Sequence, residues 1–392
     1  MKRILTAALT AAVAAAAWAA TPLVDKYEAR LTEPRLYDAF RTTGKIKIDG
    51  KLNEADWAKA VPTQPFVDIR GKGYPEPVKA TWAKMMWDDE NLYIGARLVE
   101  DNVIAKLSQR DTIIYHDNDF EVFIDPDGDG QHYFEIENNA KGVVFDLMLD
   151  KPYRSGGSFF VPWDCQGLQL ATWVDGTLNK PSDTDKAWYV EMAIPFKALT
   201  RDFTDPRSLK TWRINFSRVE WLVPGQPEEN WVWSPTGLVD MHMPERWGFL
   251  RFVDAPVGSA QAAHDLTLDM DAYRLIWALF YAQLDARNKP NGFIRTANDF
   301  LLTDKDKALL PQGGEISVDA SNSAFSLAVT VPSRKEVYHL DQNGKFTISA
   351  EKPRVVKNWA WTGLPKDRTN EQWSEWFTVS YTHLTLPTNS LV

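Results

Sequence analysis

Residues 117–131 read DNDFEVFIDPDGDGQ, and this stretch decides the fold class. In its middle part, apolar side chains at every second position alternate with side chains that point the other way, as in a β-strand with one face in a core. The predicted core face holds Phe120, Val122 and Ile124, and the opposite face holds Asp119, Glu121 and Phe123. The Asp- and Gly-rich segment that follows is a turn signal, and HYFEIE at 132–137 resumes the alternation. We therefore predict a β-hairpin.

Similar strand signals occur on both sides of this hairpin, without long helical patterns between them. They are MMWDDENLYIGARLV (85–99), LQLATWVDGTLN (168–179), AWYVEMAIPF (187–196), TWRINFSRVEW (211–221) and WGFLRFV (247–253). Many short alternating strands favour a mainly β protein, and we predict an antiparallel β-sandwich over residues 36–253.

The pattern changes after the predicted sandwich. Residues 254–265 are rich in small side chains and are predicted to be a linker, and residues 266–377 are predicted to form a small α+β unit. In that unit, apolar side chains from Tyr273 to Leu284 lie at helical spacing behind a capping Asp269, and Asn343-Gly344 marks a hairpin turn. Residues 379–392 do not fit the preceding pattern; we expect them to be a non-native tail and the natural C-terminus to be missing.

The N-terminus has the pattern of a secretory signal peptide. Lys2 and Arg3 precede an Ala-rich apolar stretch that ends in small residues, so residues 1–20 are predicted to be removed and the protein to be periplasmic or extracellular. The 44 basic and 53 acidic residues give a formal net charge of −9, so nucleic acid is a poor partner. No later stretch predicts a membrane span, and the one cysteine, Cys165, allows no intramolecular disulfide.

Six segments, in this order, resemble the carbohydrate-binding modules of family 9, which share a β-sandwich of the DOMON-like type. They are IKIDGKLNEADWAKA (46–60), WDDENLYIGARLVEDN (87–102), DNDFEVFIDPDGD (117–129), WYVEMAIPFKAL (188–199), WRINFSRVE (212–220) and HMPERWGFLRF (242–252). The resemblance implies a cleft that holds the end of a sugar chain between two aromatic rings, beside carboxylates and amides.

The resemblance places the first stacking ring of the family at Tyr115 and acidic ligand residues at Glu121 and Asp101. At the second stacking position this chain has Met241-His242, and an expected Arg is replaced by Glu135. A sugar needs an aromatic surface for its apolar face and polar groups for its hydroxyls. The candidate sugar-binding residues are the rings of Tyr115, Trp87 and Trp233 and the polar side chains of Asp101, Asn118, Glu121 and His242.

A catalytic role for the acidic strand face is the alternative interpretation. Asp119 and Glu121 are expected to lie roughly 6.5–7 Å apart, near the carboxylate separation of inverting glycosidases. Such catalysis needs an acid with a raised pKa in an apolar setting, whereas the neighbouring acids indicate a wet surface. We therefore predict a non-enzymatic site.

The Asp-rich turn could hold calcium. An EF-hand loop starting at Asp125 fails, because its twelfth position is Ile136 where a bidentate Glu is required. A structural calcium site formed by Asp125, Asp127 and Asp129 stays open, beside the interpretation of a polar turn. No motif predicts zinc or another cofactor.

Together these features predict a secreted, non-catalytic protein that binds a sugar or polysaccharide end and assists glycan breakdown or uptake, with a glycoside hydrolase as a candidate partner. One alternative is a b-type haem domain of the same sandwich superfamily, with Met241 and His242 near the metal; a coloured protein would distinguish it. The other is a truncated part of a larger glycoside hydrolase.

Overall fold

The computed structural model describes residues 21–200, 211–223, 225–260 and 268–350. The predicted signal peptide and the predicted non-native tail lie outside these residues. No helix in the described ranges is both long and apolar enough to cross a bilayer.

The mainly β sandwich is confirmed, and within the described residues its thirteen strands form one hydrogen-bonded sheet. The strands are β1 (Leu36–Arg41), β2 (Val67–Asp68), β3 (Thr81–Trp87), β4 (Asn91–Val99), β5 (Asp119–Asp125), β6 (Tyr133–Asn139), β7 (Val144–Leu149), β8 (Phe159–Phe160), β9 (Gln169–Asp175), β10 (Ala187–Pro195), β11 (Thr211–Glu220), β12 (Glu229–Val232) and β13 (Gly248–Pro256). The order across the sheet is β8-β7-β6-β5-β11-β13-β1-β3-β4-β10-β9, and β12 joins β11 to β2. The short helix α3 (Ala55–Lys59) lies between β1 and β2.

The two halves of this sheet share one hydrophobic core. The predicted core face of β5, Phe120, Val122 and Ile124, packs in the same cluster as Ile94 of β4 and Val190 of β10. The predicted hairpin is also confirmed, because β5 pairs antiparallel with β6. The predicted face of the opening stretch is thus the buried one.

Strand direction differs from the antiparallel prediction at one place. Strand β1 runs parallel to both of its neighbours, β13 and β3. Parallel neighbours need a long crossover, and the chain between β1 and β3 supplies one through α3 and β2. Alternation of apolar residues reports which face is buried and carries no information on strand direction, so the sequence could not show this.

The motif IKIDGKLNEADW is bound to the sandwich by one carboxylate, that of Glu191 in β10. The indole N–H of Trp57 donates to Glu191 Oε1 at 2.8 Å, and the backbone N–H groups of Asp49 and Gly50 donate to its Oε2 at 2.9 Å. A Cβ on Gly50, whose φ is +82°, would lie 2.6 Å from the carbonyl carbon of Thr172. The Asp49-Gly50 turn of this motif therefore packs closely on Glu191 of β10 and Thr172 of β9, and the close contact at Gly50 requires a glycine.

The chain after the sandwich forms a helix on a separate four-stranded antiparallel sheet, as predicted. Its elements are α4 (Met270–Ala286), α5 (Asp304–Lys307), β14 (Ile316–Ala320), β15 (Phe325–Val331), β16 (Glu336–Asp341) and β17 (Phe346–Ala350). The Asp269 side chain accepts from the Ala272 N–H at 2.9 Å, which confirms the predicted cap of α4. The Asn343-Gly344 turn joins β16 to β17, also as predicted.

The first described residues pack against this C-terminal sheet and helix, which the sequence analysis missed. Helices α1 (Leu23–Lys26) and α2 (Glu28–Leu31) place Val24, Tyr27 and Leu31 in the same core as α4. The spacing of three and four residues among these side chains is a helical signal that could have predicted it.

Candidate functional site

A cavity of about 650 Å³ opens on the sheet face opposite the main core. Its floor is formed by β5, β6 and β7, and its walls come from loop residues 111–115, 153–161 and 239–242. Cavities of this size, with mixed apolar and polar walls, are typical of small-molecule sites.

Partly exposed rings surround the mouth of the cavity. Tyr115 is 40% exposed, Tyr153 43% and Phe159 57%, and Ile113 and Val239 are exposed beside them. The indole N–H of a further exposed ring, Trp221, donates to the Tyr115 carbonyl at 2.8 Å. Exposed aromatic rings that converge on a concave site are a feature of ligand-binding surfaces.

The floor of the cavity is acidic because two strands present their acids on one face. Glu121 of β5 pairs in register with Glu137 of β6, and Phe123 pairs with Glu135. Directly opposed residues in an antiparallel pair share a face, so all these side chains and Asp119 point the same way. The three glutamates line the cavity.

The expected wet surface around Asp119 and Glu121 is wrong. Asp119 is 0% exposed and Glu121 5% exposed, since strands lie on both sides of β5 and the loops cover its face. Burial raises the pKa of Glu121 to about 7. Burial and the charge of Glu121 raise the pKa of Glu135 to about 8, and they hold the pKa values of Asp119 and Glu137 well above the usual range.

Met241 and His242 form part of the cavity wall. His242 Nδ1 lies 3.1 Å from the Tyr133 hydroxyl, and the rings of Tyr153 and Phe123 meet the imidazole edge to face at 4.4 and 5.8 Å. Burial, with a smaller contribution from the Arg154 charge, lowers the pKa of His242 to about 4. The imidazole is therefore neutral at pH 7.

Of the seven predicted sugar-binding residues, the structure brings Tyr115, Glu121 and His242 together in the cavity and leaves the other four outside its lining. Asp101 is exposed, 3.4 Å from the Lys79 ammonium. The Asn118 side chain donates to Glu100 and accepts from the backbone N–H of Trp221.

The two predicted tryptophans have structural contacts. Trp87 lies at the end of β3, where it donates to the Val253 carbonyl at 3.2 Å and lies under the Arg41 guanidinium. Trp233 is fully buried and donates to Gln64 at 3.1 Å, so its ring has no face open to a ligand. The sequence could not separate these rings from Tyr115, because aromatic residues serve the core and the surface alike.

Three cavity residues that the sequence analysis did not select are Glu137, Tyr153 and Phe159. Glu137 follows the same alternation rule as Glu121, applied to the second strand of the hairpin, and could have been found. Tyr153 and Phe159 come from a loop and a two-residue strand, where no periodic signal exists.

The three aspartates of the hairpin turn do converge. One carboxylate oxygen from each of Asp125, Asp127 and Asp129 lies within 4.8 Å of the others. Both oxygens of Asp125 accept from backbone N–H groups, of Gly128 and Gly130. The Lys345 ammonium lies 3.2 Å from Asp129 Oδ2, so part of the charge of this turn is already balanced.

The sandwich is similar to known protein sequences. Residues 48–217 match the model of a family described as carbohydrate family 9 binding domain-like, which confirms the resemblance drawn from the motifs. A segment of 159 residues, 40% of this chain, is 31% identical to exoglucanase XynX of Acetivibrio thermocellus and covers 12% of that protein. A segment of 157 residues is 28% identical to endo-1,4-beta-xylanase A of Thermoanaerobacterium saccharolyticum and covers 11% of it. The chain thus spans only a small part of these relatives.

Solved structures are similar at lower identity. A putative carbohydrate-binding protein from Bacteroides uniformis ATCC 8492 aligns over 56% of this chain and 100% of its own, with 19% identity and a TM-score of 0.45. A family 9 carbohydrate-binding module from Caldicellulosiruptor kristjanssonii, in complex with cellotriose, aligns over 58% of this chain and 100% of its own, with 14% identity and a TM-score of 0.39.

Proposed function

We propose that this chain, which matches the family 9-like model over residues 48–217, binds a carbohydrate in the cavity above β5 and β6. The observation that carries the proposal is the pairing of a partly exposed aromatic rim, including Tyr115 and Tyr153, with polar groups inside. A pyranose ring presents an apolar C–H face and a rim of hydroxyls, which this combination complements.

In this proposal Tyr115 contacts the apolar face of the sugar, and Glu121 and His242 bind its hydroxyls. Neutral imidazole offers both a donor and an acceptor, and Glu121 accepts when ionised and donates when protonated. Tyr153, whose ring lies 4.4 Å from that of His242, supplies an aromatic surface on the same wall. The rings of Tyr115 and Tyr153 thus take the part that paired tryptophans have in the family pattern.

We further propose that the protein is secreted, acts without catalysis of its own and delivers a glycan to a glycoside hydrolase or a transporter. The match of residues 48–217 to a binding-domain family, and not the polarity of the acidic strand face, supports the non-catalytic role. The signal peptide pattern at residues 1–20 supports secretion. The similarity to short segments of an exoglucanase and a xylanase supports an association with glycan breakdown. A calcium ion in the turn of Asp125, Asp127 and Asp129 is also proposed, in a structural role.

Calorimetric titration with xylo-, cello- and malto-oligosaccharides and their borohydride-reduced forms tests sugar binding. Tyr115→Ala should weaken sugar binding by about 5- to 30-fold, since a ring on a sugar face contributes about 1–2 kcal/mol. Tyr74→Ala is the matched control, because Tyr74 is 46% exposed and lies outside the cavity lining.

Weaker binding of the reduced forms would indicate recognition of the reducing end. Equal weakening by Tyr74→Ala and Tyr115→Ala would contradict the assignment of the site, and so would the absence of binding to any of these sugars by the wild type.

A further inference from the structure

The acidic floor of the cavity contains a group of three carboxylates with the geometry of a cation site. One oxygen from each of Asp119, Glu121 and Glu137 lies within 4.8 Å of the others. Oxygens that share one Ca²⁺ at 2.3–2.6 Å lie at most about 5.2 Å apart. The three acids come from two paired strands, so the backbone hydrogen bonds of the hairpin hold their spacing.

Two oxygens of this group lack protein partners among the described residues. Asp119 Oδ1 accepts from the Val219 N–H at 3.0 Å, but Asp119 Oδ2 and Glu137 Oε2 are buried without a hydrogen-bond partner in that part of the chain. The Ser217 hydroxyl is also fully buried and, within the described residues, has no hydrogen-bond partner outside this group of acids. Ser217 pairs in register with Glu121, so it belongs to the same face of the sheet. Unsatisfied buried polar atoms are rare in native proteins, and an ordered ion or water is a common partner for them.

A second buried acid cluster shows how this protein balances such charges elsewhere. Glu100 and Glu220 are as buried as the floor acids, but the Arg218 guanidinium lies 3.1 Å from Glu100 and 2.6 Å from Glu220. The Lys79 ammonium adds contacts of 2.6 and 2.8 Å to the same two acids. In contrast, none of the residues that line the cavity in the described part of the chain is Lys or Arg.

We propose that Asp119, Glu121 and Glu137 bind one divalent cation that prefers oxygen ligands, with Ca²⁺ as the first candidate. Carboxylates and a hydroxyl are hard ligands, which suit Ca²⁺, Mg²⁺ and Mn²⁺ better than metals that prefer thiolates or imidazoles. The cation supplies the positive charge that the cavity lining lacks. This site is distinct from the turn of Asp125, Asp127 and Asp129; it shares Glu121 with the proposed sugar site, and its test needs no saccharide.

The test is calorimetric titration of the chelator-treated full chain with CaCl₂, MgCl₂ and MnCl₂ in separate runs, without saccharide. We expect the wild type to bind one of these ions at a site whose affinity falls at least about tenfold in Glu137→Gln, because one charged ligand is lost. Asp127→Asn is the matched control: it removes an acid from the turn and should leave this site unchanged. Circular dichroism checks that each variant is folded, and Asp119→Asn replaces Glu137→Gln if that variant is not.

Two results would overturn the proposal. One is equal affinity and stoichiometry in the wild type and Glu137→Gln, which would place the ion elsewhere. The other is the absence of binding of all three metals at pH 7. A parallel titration with glucosamine distinguishes a third case: if this protonated amine binds and no metal does, the acids serve an ammonium group and the metal assignment is wrong.

Discussion

Glu245 provides the sharpest test of how the wall of the cavity is held. Its Oε2 lies 2.8 Å from Arg154 Nη2, and its Oε1 accepts from the Tyr281 hydroxyl of α4 at 2.8 Å. The Tyr273 hydroxyl, also on α4, donates to the Glu245 carbonyl at 3.0 Å. Glu245 is therefore a link between α4 and the segment that carries the cavity residue His242.

Glu245→Gln should lower the free energy of unfolding by about 3–5 kcal/mol. The amide keeps an acceptor for Tyr281 but removes the charge opposite Arg154, whose side chain is 16% exposed while that of Glu245 is 2% exposed. Removing one partner of a buried ion pair costs about 3–5 kcal/mol, because the other charge stays buried without compensation. Urea unfolding followed by tryptophan fluorescence measures the change.

The matched control is Asp25→Asn at the exposed pair of Asp25 and Lys305, where the expected loss is below about 1 kcal/mol. If Glu245→Gln costs no more than this control, the buried pair does not stabilise the contact and the reasoning fails. A second readout is sugar affinity, which should fall together with stability because Arg154 also donates to the His242 carbonyl.

Two further predictions concern the sandwich itself. Trp57→Phe should lower the free energy of unfolding, measured in urea, by about 1.5–3 kcal/mol, because it removes a hydrogen bond to the Glu191 carboxylate. A loss below about 0.5 kcal/mol would contradict the role given to this motif. An acid whose pKa is raised by folding keeps a proton that the unfolded chain has released, so stability falls as pH rises between the two pKa values. With Glu121 at about 7 and Glu135 at about 8, the free energy of unfolding in chelator should fall from pH 6.5 to 8, and Glu135→Gln should make this fall smaller than in the wild type. Identical slopes in the two proteins would show that Glu135 titrates normally.

The sequence predicted best the features that repeat along a strand or helix. Alternation in β5 identified its core face, and the capping Asp269 and the Asn343-Gly344 turn were also predicted correctly. These signals are local, since each depends on residues within one element or one turn. The parallel pairing of β1 with β13 depends on residues more than 200 positions apart, and no local pattern encodes it.

The candidate site was harder to predict because a cavity is formed by segments distant in sequence. Tyr115 and Glu121 are close along the chain, and the hairpin register adds Glu137. Tyr153 reaches the same cavity from a single 3-10 turn and Phe159 from the two-residue strand β8, and tertiary packing alone decides that their rings stay exposed while Trp233 is buried. The burial of the acids could not be predicted either. The sequence indicated a solvated surface, whereas the structure buries Asp119 completely, and this burial raises the pKa values of the acids.

The two positions at which the motifs of this chain differ from the family pattern lie in one cavity. Met241-His242 stands where a second stacking ring was expected, and Glu135 where an Arg was expected; both lie in the lining of the same cavity. The fold contacts of the neighbouring motifs are well defined, because Glu191 accepts from Trp57 and Asp49 and the hairpin of β5 and β6 pairs in regular register. The resemblance puts Glu135 at the position of an Arg, and because the pKa of Glu135 is raised to about 8, this difference removes one positive charge at pH 7. None of the residues that line the cavity in the described part of the chain is Lys or Arg, and the cation proposed above supplies the missing positive charge, so metal binding should be measured before the saccharide is sought.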